Sequence, residues 1–142
     1  MSDQTCVTGD KIAQNNDCVE LIMPAHENML TLTRLTAAGL LAHVSRDFDM
    51  QEDVKSAAAE ACYCLMQQPC AYARLKLCFD VGETELTLII SGIEPAKSEK
   101  QPESVQKYTD IALCILESMV DSVHISVNDG VIEGFTLKKH IA

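Results

Sequence analysis

Glu60 and Cys64 stand four residues apart in the run Glu60-Ala61-Cys62-Tyr63-Cys64, and on a helix that spacing puts them about 40° apart on one flank. Both can then face the same cleft. A carboxylate so placed has the chemistry of a general base. The thiol is a soft donor, whereas magnesium takes hard oxygen ligands in octahedral geometry, so Cys64 cannot hold that ion. Around the same helix Cys62 and Cys64 point about 160° apart. The seven cysteines, Cys6, Cys18, Cys62, Cys64, Cys70, Cys78 and Cys114, contain no C-x-x-C spacing, and the four histidines are scattered. No metal site is expected, and the cysteines suit small buried positions. An odd number of them fits reduced thiols in a cytosol. Two other readings stay open: Glu60 as an ordinary solvated helix residue, and the cysteine-rich helix as a thiol-based sensor of oxidants.

The elements that must position these residues alternate in type. Asp49 with Glu52 three residues later has the form of a capping box, opening a helix whose apolar stripe is Val54, Ala57, Ala58, Ala61 and Leu65. Pro69 limits it on the far side. Cys18 to Met23, stopped by Pro24, suits a strand. From about His26 to Val44 the chain turns helical, with Leu32, Leu35, Gly39 and Ala42 on one side as the core face. Leu30, Ala37, Leu41 and Val44 lie nearly opposite with Arg34 beside them, which implies a second, partner-facing surface. Leu75, Leu77, Phe79 and Val81 alternate with Arg74, Lys76, Cys78 and Asp80, and after Gly82 the alternation of Leu86, Leu88 and Ile90 completes a hairpin. Ser91 to about Gln106 has the composition of a loop or lid, its Glu94 to Glu103 run solvated. A third helix follows from Lys107 to Val120, with Ile111, Ile115 and Met119 on one stripe. Two last strands flank the Asn128-Asp129-Gly130 turn. The fold class is therefore a two-layer α/β sandwich, a mainly antiparallel sheet with helices on one face.

With 142 residues, 47% hydrophobic and 23% charged, the chain fits one domain with a core of its own, residues 18–142, after a polar, loose leader over 1–17. The formal charge of −10 opposes phosphate backbones and anionic lipid, so direct nucleic-acid binding is not expected. No run reaches the roughly 18 apolar residues of a membrane span, and the N-terminus lacks a signal-like apolar block. A cytoplasmic protein is the reading.

Val19-Glu20-Leu21-Ile22-Met23-Pro24-Ala25, Thr33-Arg34-Leu35-Thr36, Asp53-Val54-Lys55, Glu60-Ala61-Cys62 and Leu116-Glu117-Ser118-Met119-Val120-Asp121 together resemble the anti-sigma factor serine/threonine kinases of the GHKL (Bergerat-fold) ATPase superfamily. The likeness runs from Cys18 to the C-terminus. It implies a homodimer that binds a sigma factor and phosphorylates a STAS-domain anti-anti-sigma protein with Mg-ATP. It also implies Glu60 as the base, Arg34 as a partner contact beside Leu30 and Leu41, and an asparagine ligand for magnesium where this chain has Cys64. At the adenine-reading position stand Ser91 and Gly92, without the family's aspartate. Where the family has closely spaced phosphate-binding glycines, this chain has Tyr108-Thr109-Asp110-Ile111-Ala112. Side chains there obstruct the approach of an anion, and Asp110 repels it. The implied function is an anti-sigma-like regulatory protein with a degenerate nucleotide site and no expected cofactor. The alternative is an active serine kinase that uses ATP.

Overall fold

The computed structural model describes residues 18–68, 71–96 and 102–142. The leader, Pro69, Cys6, Cys70 and the middle of the expected lid lie outside them.

Five strands, β1 (Cys18–Pro24), β2 (Ala71–Val81), β3 (Glu85–Ala96), β4 (Ser122–Asn128) and β5 (Val131–His140), form one sheet in the order β1-β2-β3-β5-β4. Every pairing is antiparallel. Three helices, α1 (Leu30–Leu41), α2 (Phe48–Met66) and α3 (Pro102–Met119), cover one face. Strand alternation sends Leu75, Leu77, Phe79, Leu88, Ile90, Phe135 and Leu137 into that interface. The fold class is as the residue pattern predicts.

The middle helix is the keel. Val54, Ala57, Ala58, Ala61 and Leu65 are all buried, as the stripe requires. Small alanines let α1 and the sheet approach closely, while truncating Leu65 to alanine would cost about 2–5 kcal/mol. The helix start differs from expectation by two residues. Asp47, in extended conformation, is the N-cap, and its carboxylate accepts from Met50 N–H at 3.1 Å. Ser45 Oγ accepts from Asp47 N–H, so the cap itself is held. Glu52 pairs instead with Lys55 at 2.7 Å in solvent.

In α1 the two apolar faces are exchanged relative to the reading by periodicity. Thr33, Ala37 and Leu41 are buried and Leu30 packs against the core, whereas Leu32 and Leu35 are 40% and 65% exposed. The reason is Thr33. Its hydroxyl is satisfied inside by Met29 O at 3.3 Å and Met23 Sδ at 3.4 Å, so a residue that looks like a solvent marker sits in the core.

The stretch expected as a loop from Ser91 to Gln106 is also mostly regular. β3 continues to Ala96, and α3 begins at Pro102, where a missing N–H costs a helix nothing. Within α3, Thr109, Ala112 and Leu116 face the core, and Ile111 and Ile115 lie largely outside.

Candidate functional site

On the flank of α2 that carries Glu60 and Cys64, the structure does bring the two together. Glu60 is half-buried and near enough for its charge to act on the Cys64 thiol. Burial is the larger effect on Cys64, and with Glu60 it pushes the thiol up to about 11 against the hydrogen bonds of Thr109 and Gln68. Cys64 is fully buried and reaches Thr109 Oγ1 on α3 at 4.0 Å. The position resembling a magnesium ligand thus holds a neutral thiol in a helix-to-helix contact.

Gln68 closes this flank. Buried just beyond α2, it donates from Nε2 to Cys64 O at 3.2 Å and Thr109 Oγ1 at 3.5 Å, while Oε1 accepts from Ile132 N–H at 2.9 Å. Tyr72 Oη donates to Ile132 O at 2.9 Å. The backbone of Ile132 needs both partners because β3 stops pairing with β5 at the Ser91–Gly134 position. One amide side chain therefore ties α2, α3 and β5 into a single satisfied network.

Ser91 is not part of that flank, and Gly92 meets it only through the Tyr72 ring. The neighbouring Ile90 points inward, so Ser91 points to the sheet face away from the helices, where it lines a shallow cleft of about 310 Å³ with Ile89, Ser126, Glu133, Gly134 and Thr136. Gly92 has a packing reason. A Cβ there would lie 2.4 Å from the Tyr72 ring, so only glycine lets that ring cross the strand. Asp110 and Ala112 fall more than one turn inside α3, which starts at Pro102. Only the first four N–H groups of a helix are open to an anion, and those of residues 110 and 112 are not among them. Ala112 is buried against the core, and Asp110 is exposed.

Among the residues expected to meet a partner, Arg34 stands in solvent, where its charge adds to the effect of the Lys55 hydrogen bond in holding the Glu52 carboxyl below its usual range. Leu41 is 1% exposed and Leu30 packs against the core, so both are held by the fold itself. The open apolar surface of α1 is Leu32, Leu35, Gly39 and Ala42. Sequence reasoning missed Gln68, Thr109 and Tyr72, polar or amphipathic residues whose partners are 41 to 64 residues away and carry no local signature. The two cysteines of α2 face opposite neighbours: Cys62 meets Thr33 of α1, and burial raises its thiol to about 12. Among the described residues no group of three or more His, Cys, Asp or Glu converges as a metal site would need. Nor is any helix among them long and apolar enough to cross a membrane.

Fold and site define a two-layer α/β protein with an internally bonded helix flank and an open apolar face on its first helix. Its relatives are serine-protein kinases named RsbW. That of Bacillus licheniformis is 26% identical over 138 residues, 84% of each chain. That of Staphylococcus epidermidis is 26% identical over 133 residues, 81% of this chain and 82% of its own. That of Bacillus subtilis is 24% identical over 139 residues, 86% of each. The chain is similar to these RsbW kinases along most of its length. No family model matches it.

Proposed function

We propose that this chain is an anti-sigma-factor-like regulatory protein that binds a sigma factor or a STAS-domain anti-anti-sigma protein through α1, as a homodimer, with a degenerate nucleotide site. The observation that carries the reading is Cys64, sealed between α2 and α3 by Thr109 and Gln68. A soft, neutral, buried sulfur offers magnesium nothing, and a nucleotide's phosphates have no open helix N-terminus at residues 110 to 112. The solvent side of α1 supports the binding role: Leu32 and Leu35 are large, exposed and adjacent, and partner interfaces bury such residues. Arg34 beside them supplies a charged contact.

The similarity to serine-protein kinases favours a second reading, a serine kinase that phosphorylates an anti-anti-sigma protein with Mg-ATP and uses Glu60 as its base. Glu60, half-buried and near Cys64 on α2, supports that reading. Calorimetry with Mg-ATP separates the two. The binding reading expects no heat at high micromolar ATP and capture of a sigma or STAS partner that is lost with Arg34→Glu. Measurable Mg-ATP binding, with phosphate transfer abolished by Glu60→Ala, would establish the kinase instead.

A further inference from the structure

Cys18 and Cys78 lie on the sheet face that the helices leave uncovered. Val19, Leu21 and Met23 of β1 turn toward the helices, so Cys18, Glu20 and Ile22 turn away. On β2, Leu77 and Phe79 are buried and Cys78 between them points outward. The register pairs Cys18 with Asp80 and Glu20 with Cys78, which makes the two cysteines diagonal neighbours across the β1–β2 ladder. Their Sγ atoms stand 2.9 Å apart. That is inside the roughly 3.5–4.0 Å at which even unbonded carbon atoms rest, and the bonded distance is only about 2.05 Å. Cys18 is exposed and Cys78 half-exposed, so a small oxidant reaches both.

We propose that Cys18 and Cys78 form a redox pair that closes to an intramolecular disulfide when the protein meets a small disulfide oxidant of the glutathione class. The thiolate of one cysteine attacks a sulfur of the oxidant, and one small thiolate leaves. The second cysteine, as thiolate, attacks the mixed disulfide and expels the other small thiolate. The two protons released by the cysteines neutralise the two leaving thiolates. Two protein thiols are oxidised to one disulfide, and one small disulfide is reduced to two thiols.

The cysteines that stand out in sequence, Cys62 and Cys64, are unsuited to this chemistry. Both are buried, and burial keeps them protonated far above neutral pH. The thiol chemistry of this chain belongs to the sheet edge and not to the cysteine-rich helix. Among the described residues β1 is an edge strand, paired only to β2, and it leads into α1. A covalent bond at its outer end closes the chain from Cys18 to Cys78 into a loop, which removes freedom from the unfolded state and prevents fraying of the edge. The inference stands apart from the partner-binding proposal, since it needs neither partner nor nucleotide.

The test uses the full chain, reduced and then equilibrated at neutral pH with oxidised and reduced glutathione, quenched with iodoacetamide and mapped by peptide mass. The expected result is a linked peptide pair carrying Cys18 and Cys78, with Cys62 and Cys64 unreacted while the protein is folded. The oxidised form should melt several degrees above the reduced form. Cys18→Ser and Cys78→Ser should each lose the linked pair and the shift, while melting in the reduced state within about a degree of the parent chain. Alkylation of both Cys18 and Cys78 after equilibration would overturn the proposal. So would a disulfide that joins either of them preferentially to Cys6, Cys70, Cys114 or a second copy.

Discussion

The flank of α2 and the solvent side of α1 are built on opposite terms. Along the first, buried polar groups answer one another: Cys64 with Thr109, Gln68 with Ile132, and Ile132 with Tyr72. Along the second, Leu32 and Leu35 face water with nothing described above them. A satisfied, buried network stiffens a fold and leaves little for a ligand to bond. An apolar helix face with a charged margin is unspent surface, and association is what covers it. The difference is why the proposed partner contact is placed on the first helix.

That contrast can be broken or sharpened by measurement, beginning with the largest effect. The thiols of Cys62 and Cys64 are raised from 9.0 to about 12 and about 11 in the folded state. The unfolded chain therefore sheds these protons first as pH rises. Stability is fully present below about pH 9 and declines between pH 9 and 11 to 12, by up to about 1.4 kcal/mol per pH unit for each thiol. Guanidinium unfolding at successive pH values would follow it, and Cys62→Ala should flatten the alkaline slope.

Next is Gln68→Leu, which removes the acceptor for a buried Ile132 N–H and both contacts to Thr109 and Cys64. A loss of about 2–3 kcal/mol is expected, read as a lower denaturation midpoint with an unchanged m-value. A neutral result would mean that water reaches this flank, and the description of it as closed would be wrong.

Cys64→Asn puts an oxygen donor, the hard ligand type that magnesium takes, at the position beside Glu60. A larger polar side chain in a fully buried slot should lower stability by about 1–3 kcal/mol, and Mg-ATP calorimetry should remain silent because the α3 backbone still offers no anion site. Heat released by this variant would show that one residue had closed the cleft.

On α1 the stability effect should be the smallest. Leu35→Asp is expected to shift stability by less than about 0.5 kcal/mol, as for other exposed positions, yet to abolish capture of a sigma or STAS partner in a pull-down. Intact capture would move the interface away from this helix.

Much of the fold was legible in the residues. The stripe from Val54 to Leu65, the alternation around Leu77 and Leu88, and the turn at Asn128-Asp129-Gly130 are local patterns whose period names the element. The cap of α2 was misread by two residues because Asp47 and Asp49 are both good caps, and the choice fell to the one that Ser45 supports. Glu60 and Cys64 share a flank because helix geometry alone requires it. What stands beyond that flank was not legible, since Thr109 and Ile132 come from distant elements.

Sequence alone determined most of the elements, their order and the kinds of ligand that the flank of α2 can offer, because those follow from local periodicity and from the chemistry of single side chains. Which face of α1 looks inward, what covers Cys64, why Gly92 must be glycine and which cysteines meet were decided by the tertiary structure. A period tells how residues line up along one element. It does not tell which neighbour will satisfy a hydroxyl such as that of Thr33, or which strand register will set Cys18 against Cys78.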